Sequence, residues 1–260
     1  MAVYETLLTE TRDGVRVITL NRPDVLNAIN AQIGEDLLGA LREAEQAADV
    51  RCLLLTGAGR AFCAGADLRD FTPGEASLGD LLRTRYNRIA LRLRTMEKPV
   101  IAAVNGVAAG AGANLALAAD LRIVSDHASF IEVFARVGLI PDSGGTWLLP
   151  RLVGVGRALE LMFFAEPVDA AAAERLGIAN RVVPHDDLMA RAMEWAGRLA
   201  QGPTRAYGLI KRGVEHNLGV SFREGLEYEA FLQEIAGRTE DHREGVAAFL
   251  AKRPPTYSGR

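Results

Sequence analysis

From Pro99 to Ala119 the chain carries no charged residue. A run of that length would suffice for a membrane-spanning helix, but its composition argues otherwise. It is mostly Ala and Gly, holds Asn105 and Asn114, and is broken at Asn105-Gly106. A span would be richer in Leu, Ile and Phe. The run therefore reads as a buried strand (Val100 to Val104), a glycine turn and a short buried helix (Ala111 to Ala118). Cys52 to Leu55 and Leu121 to Ser125 are further short apolar runs that read as buried strands. Strands alternating with helices imply a largely parallel sheet with crossover connections, an α/β fold.

The rest of the chain fits that frame. Alternation at Val3, Glu5 and Leu7, then at Val15, Val17 and Thr19, flanks Asp13-Gly14 and predicts a β-hairpin. Asn30 is placed to cap a helix running to about Ala48, with Ile33, Leu37, Leu38, Leu41 and Ala44 at helical spacing. Residues 57–65 read as a loop. Leu78 to Met96 reads as a helix bearing Arg83, Arg85, Arg88, Arg92 and Arg94, either a solvated face or a basic face near an anionic ligand. Beyond Val183 the strand signals vanish, and 186–200, 204–216 and 221–251 carry helical periodicity. Such a helical block often docks or oligomerises.

Reactive side chains are few. The 260 residues include four His (His127, His185, His216, His242) and two Cys (Cys52, Cys63). No two His lie three to five apart and there is no C-x-x-C, so local spacing supplies no metal site. Two scattered Cys make no disulfide framework, which fits a reducing, cytoplasmic setting. The N-terminus has no basic region followed by an apolar one, so no signal peptide is expected. A net charge of −3 argues against a nucleic-acid partner. Glycine, at 26 residues, exceeds the usual share of roughly 7%. The G-x-G-x-x-G fingerprint fails at Phe62 and again at Leu115, and no Gly-Lys pair exists for a phosphate loop. G-x-S-x-G, H-E-x-x-H and S-x-x-K are absent. His127 and His185 read as exposed or structural, and Ser143 as a turn or cap hydroxyl.

Backbone groups remain. Two Gly/Ala loops, Thr56 to Leu68 and Asn105 to Asn114, each follow a buried strand. Small residues let another molecule approach the main chain. The second loop opens a helix whose first N–H groups lack partners. Two readings fit: close packing between layers, or two N–H groups aimed at one oxygen as an oxyanion hole.

These loops resemble those of the crotonase (enoyl-CoA hydratase/isomerase) superfamily, and the resemblance extends over nearly the whole chain. It is carried by Ile18 to Pro23 with Leu26-Asn27-Ala28, Ala61 to Leu68, Lys98 to Gly106, and Gly138 to Thr146. The resemblance implies a spiral of ββα units over residues 1–198 and a helical trimerisation region over 199–260, with trimers or hexamers as the assembly. It implies an acyl-CoA substrate whose thioester oxygen lies between the N–H groups of Ala66 and Ala111; Gly110 and Gly112 flank the second and leave its register open. Coenzyme A would enter as part of the substrate, with no separate cofactor or metal. Its adenine end would lie along Ala64, Ala66, Asp67 and Leu68, and Phe249 and Lys252 would reach the CoA of a neighbouring subunit. Residues 72–95 and the C-terminal helices would wall the acyl pocket.

Departures from the family pattern bear on the reaction. Hydratases of this superfamily use two glutamates, and the matching positions hold Asn114 and Phe134, neither of which moves a proton at neutral pH. Glu132 is near the second position but two residues away, a different direction in a helix or turn. Asp142 stands where the isomerase branch carries a single carboxylate base, and Gly138 to Arg151 resembles the members that act on ring-epoxide CoA thioesters. A dry wall of Ile140, Pro141 and Trp147 would raise its pKa. The competing role for Asp142 is an N-cap for a helix starting near Gly144. The expectation is a CoA-thioester isomerase. A fatty-acid-oxidation isomerase or hydratase and a non-catalytic CoA-ester-binding scaffold are the alternatives.

Overall fold

Asp13 and Gly14 both adopt left-handed backbone, at φ of 51° and 79°, as a tight hairpin turn requires. They join β1 (Leu7–Arg12) to antiparallel β2 (Val15–Leu20) in the computed structural model, which describes residues 3–70 and 77–260. The strand starts at Leu7 rather than Val3 because β2 ends at Leu20, the partner of Leu7. The preceding residues turn to the first helix instead: the Thr6 N–H and hydroxyl donate to Asp36 Oδ2 at 2.9 and 2.8 Å.

That helix, α1 (Ala31–Gln46), begins where Asn30 Oδ1 accepts from the Ile33 N–H at 3.0 Å and buries its expected stripe. There follow β3 (Cys52–Gly57) and β4 (Ala61–Cys63). The second corrects the loop expected over 57–65: three residues are too few to show a strand period. Next come α2 (Leu78–Leu81), a π turn at Leu82–Tyr86 and α3 (Asn87–Thr95) as one helical run. Its arginines divide. Arg83 and Arg88 are solvated, whereas Arg92 pairs with Glu45 and Arg94 with Glu215 at 2.6 Å.

The uncharged run folds as β5 (Val100–Val104), β6 (Val107–Ala109) and α4 (Ala111–Ala118), then β7 (Leu121–Ser125) and β8 (Ser129–Ile131). Beyond lie α5 (Gly145–Val153), α6 (Val155–Phe164), β9 (Val168–Asp169), α7 (Ala170–Arg175) and β10 (Arg181–Val183). The chain ends in α8 (Leu188–Ala200), α9 (Thr204–Asn217), α10 (Phe222–Gly237) and α11 (Glu240–Leu250). The stretch 221–251 is thus two helices, because Thr239 caps a fresh start by accepting from the His242 N–H at 3.0 Å. Among the described residues no helix is long and apolar enough to cross a membrane.

The strands form two sheets, ordered β1-β2-β3-β5-β7-β10 and β4-β6-β8-β9. Consecutive pairs β3/β4, β5/β6 and β7/β8 each give one strand to each sheet and are followed by helix. Repeating that step winds the ββα units into a spiral. The larger sheet is parallel from β2 to β10 and buried on both faces. Leu53 and Leu55 enter the main core, while Cys52 and Leu54 face Leu188, Ala192, Ala196 and Ala200 of α8. Burial on both faces is why these strands read as continuous apolar runs. The smaller sheet is parallel from β4 to β8, so the loops after β4 and β6 leave it at the same end.

Candidate active site

Two asparagines fix the first loop. Asn27, fully buried, donates from Nδ2 to the carbonyls of Ala58 and Ala61 at 2.9 and 2.8 Å and accepts from the Arg22 N–H at 2.9 Å. Asn105 donates to the carbonyls of Gly59 and Ala61 at 2.9 and 3.1 Å and accepts from the Gly57 N–H at 3.2 Å. A buried loop carbonyl needs such a partner, and side-chain amides supply it where no strand can. Their motifs were visible in the sequence; their role as ties between β3, β5 and the loop was not.

Beyond β4 the chain is held by the Ile29 N–H, which donates to the Gly65 carbonyl at 2.7 Å, and by the Asp67 N–H, which donates to the Ile29 carbonyl at 3.0 Å. Ala66, between them, is exposed, and its N–H bonds no described residue. Across from it, Ala111 is the first residue of α4, where no intrahelical acceptor exists. The Gly110 N–H is already given to the Ile131 carbonyl at 2.8 Å, so Gly110 does not compete for a ligand. The two loops touch. A Cβ on Gly65 would lie 2.7 Å from the Ala109 carbonyl and 3.5 Å from the Ala111 nitrogen, and one on Gly112 would lie 2.2 Å from the Cys63 carbonyl. Close packing and unbonded N–H groups therefore coexist: the small residues bring the main chains together where neither Ala66 nor Ala111 gives its N–H to a described residue, Ala66 being exposed and Ala111 buried.

The carboxylates come from the other side. Asp142 lies in a turn closed by the Gly145 N–H donating to its carbonyl at 2.8 Å. Helix α5 takes Gly144 as its N-cap and no side chain caps it, so neither Asp142 nor Ser143 has the capping role open to it from sequence. Ser143, with φ of 51°, instead donates its hydroxyl to Asp142 Oδ1 at 2.7 Å. Burial raises the Asp142 pKa above the usual carboxylate value, opposed by that hydroxyl. The expected wall is corrected at Ile140, which is 78% exposed. Tyr86, from the π turn, lies close enough for the Asp142 charge to act on it; its phenol, pushed up to about 12 chiefly by burial, donates to the Ile29 carbonyl at 3.2 Å. Sequence reasoning missed Tyr86, although π turns recur at functional sites.

Asn114 is fully buried, and its Nδ2 donates to the Asp142 carbonyl at 3.0 Å. Phe134 is buried against Gly110, with Cζ 3.6 Å from where a Cβ would stand. Glu132 is buried, not turned away: its Oε2 lies 3.5 Å from Asn114 Nδ2, and burial, with Asp142 adding to it, pushes its carboxyl up to about 7. It stands as the N-cap of the 3-10 turn Val133–Val137 that follows β8.

The remaining candidates lie along the first loop and the last helix. Ala64 is half-buried, its N–H given to the Leu26 carbonyl at 2.9 Å, and Leu68 is exposed. The buried Asp67 carboxylate takes Arg22 Nη1 at 3.1 Å and Arg69 Nε at 3.0 Å. These guanidinium groups hold it down to about 2. Phe249 is 83% exposed on α11, and Lys252 follows it at φ of 50°. Residues 72–76 of the expected acyl wall lie outside the described residues. Ser125 accepts from the His127 backbone N–H at 3.1 Å and bonds His185 Nδ1 at 3.0 Å, so His185 is tied into the fold while the His127 side chain is exposed, within the exposed or structural roles expected of them. Cys52 and Cys63 are buried free thiols pushed up to about 12 by desolvation. No cluster of metal-ligating side chains occurs among the described residues.

The ββα spiral, with two unbonded main-chain N–H groups on neighbouring loops, can be compared with known proteins. The chain belongs to the enoyl-CoA hydratase/isomerase family, whose model matches residues 10–260. It is 44% identical over 257 residues to the probable enoyl-CoA hydratase of Rhodobacter capsulatus, covering 99% of each chain. It is also 44% identical over 262 residues to the 1,2-epoxyphenylacetyl-CoA isomerase of Escherichia coli K12, covering 99% of this chain and 100% of that one. The crystal structure of enoyl-CoA hydratase subunit I from Geobacillus kaustophilus superposes with a TM-score of 0.91 at 38% identity, covering 99% of each.

Proposed function

We propose that this enzyme isomerises a CoA thioester, converting ring-1,2-epoxyphenylacetyl-CoA to its seven-membered oxepin form. The observation that carries the reading is Asp142: a half-buried carboxylate with a raised pKa that caps no helix. A scaffold without catalysis has no use for it. The thioester oxygen accepts from the Ala66 and Ala111 N–H groups. Asp142 takes a proton from the carbon beside the thioester carbonyl, and the electron pair spreads onto that oxygen as an enolate. The σ pair of the carbon–carbon bond shared by the two rings shifts into the ring double bonds as the ring widens to seven members, and Asp142 returns the same proton to a ring carbon, leaving the carbon beside the thioester double-bonded to the ring. Atoms and electrons balance with no water, oxidant or cofactor consumed.

Hydration would need a second group to place water. Asn114 cannot ionise, and Phe134 fills the other position with hydrocarbon. The related shift of a Δ3-enoyl-CoA to its Δ2 isomer uses the same parts. By family resemblance, residues 199–260 build a trimer or a hexamer. In that assembly the exposed Phe249 and Lys252 contact the CoA of a neighbouring subunit, and Ala64, Ala66, Asp67 and Leu68 flank its adenine end, with Gly110 and Gly112 lining the second loop.

Turnover with epoxyphenylacetyl-CoA, a Δ3-enoyl-CoA and crotonyl-CoA tests this reading. The expected order places the epoxide first and leaves crotonyl-CoA unhydrated. Robust hydration overturns it.

A further inference from the structure

Glu132 takes no part in the proton shuttle above, yet its surroundings are unusual. It is 6% exposed, beside the fully buried Asn114. The Asn114 Nδ2 donates to the Asp142 carbonyl at 3.0 Å and also faces Glu132 Oε2 at 3.5 Å. The other end of that amide, Oδ1, has no hydrogen-bond partner. The start of α5 crowds the whole amide: a Cβ on Gly145, its first residue, would stand 2.4 Å from Nδ2 and 2.7 Å from Oδ1.

No described cation pairs with Glu132. The groups acting on it are the Asn114 amide and the Asp142 carboxyl, and Glu166 lines the same small void. That void is otherwise apolar, walled by Ala113, Leu117, Phe130 and Leu149 among others, and holds about 10 Å³, the room of at most one water. A carboxylate here has the Asn114 amide at 3.5 Å as its one described donor and no described cation, so its charge is poorly compensated. A carboxylic acid is satisfied, and it supplies the donor that Asn114 Oδ1 lacks. Acid and amide then form a two-bond ring: O–H to Oδ1, and Nδ2–H to the acid carbonyl.

We infer that Glu132 is a positioning residue that keeps its proton and donates it to Asn114, locking the amide that grips the Asp142 main chain. The inference rests on Asp142 being the base. Ionisation of Glu132 breaks the ring and puts a second negative charge near Asp142, so turnover falls as pH rises past about 7, where burial and Asp142 place the Glu132 carboxyl. Asp142 itself works only when ionised, so it governs the acid limb. The two carboxyls titrate as a coupled pair.

Two measurements test this. Infrared spectra of the free protein, acidified and then raised in pH, should show a buried carboxylic-acid C=O band that disappears on titration and is absent from Glu132→Gln. Glutamine keeps a donor and an acceptor without titrating, so Glu132→Gln should hold kcat and lose the alkaline limb. Glu132→Leu, which cannot hold the amide, should lose on the order of tenfold to 10²-fold in kcat, the scale of a misplaced catalytic group, with KM unchanged. A missing infrared band, or an alkaline limb that persists in Glu132→Gln, overturns the inference. An active Asp142→Asn variant instead refutes the base assignment and leaves the infrared result standing.

Discussion

Gly65 is where the loops meet, so adding one carbon there should damage turnover more than folding. Its φ is +93°, and an added Cβ would lie 2.7 Å from the Ala109 carbonyl and 3.5 Å from the Ala111 nitrogen. Comfortable contacts need about 3.5–4.0 Å, so Ala109 to Ala111 must retreat by several tenths of an ångström or more. That segment carries the second open N–H. An oxyanion donor works at about 2.7–3.1 Å, and losing one costs roughly 10²–10³ in kcat. Positive φ for a residue with a Cβ costs about 1–2 kcal/mol in stability. Gly177→Ala is the control: its φ is +79°, and its Cβ would meet only the Leu152 carbonyl at 3.6 Å. Both variants should lose a few degrees in Tm, about 2–4 °C per kcal/mol at this size. Only Gly65→Ala should also lose turnover, read as initial rates on the CoA ester beside thermal unfolding. Wild-type rates in Gly65→Ala would refute the main-chain oxyanion hole.

Asp142→Asn keeps an acceptor for the Ser143 hydroxyl, so Tm should hold while kcat falls by about 10²–10⁴, the usual worth of a general base. In the wild type, kcat/KM should rise with pH through a limb above the ordinary carboxylate value, because burial raises Asp142 and only its ionised form accepts a proton. Asp67 is shifted in the opposite direction. Held down to about 2 from 3.8, it contributes stability that is present above the unfolded value and is lost as pH falls through about 2. Acid unfolding of Asp67→Asn should show less of that dependence.

The sequence carried the parts whose chemistry is local. Cys52–Gly57, Val100–Val104 and Leu121–Ser125 were legible as strands because burial on both faces leaves unbroken apolar runs. Asn30 and Asp13-Gly14 marked a helix start and a turn by their own side chains and backbone preferences. Ala61–Cys63 was not legible, since a three-residue strand has no period, and its partner Val107–Ala109 lies far along the chain. Asp142 could be picked out by its place in a motif, but the left-handed Ser143 that keeps it from capping α5 could not. Glu132 shows the limit most clearly. Its nearness to Asn114 depends on β8 lying beside β6, the strand that leads into α4, a pairing across the spiral that residue spacing does not encode.

In the proposed reaction a single carboxylate and two main-chain donors move a proton without activating water. The direct test is the mass of products formed from CoA thioesters by the purified enzyme in heavy-oxygen water. Products with the substrate's own mass of oxygen, isomers only, are expected. A hydrated product carrying solvent oxygen, formed as fast as the isomer, would contradict it.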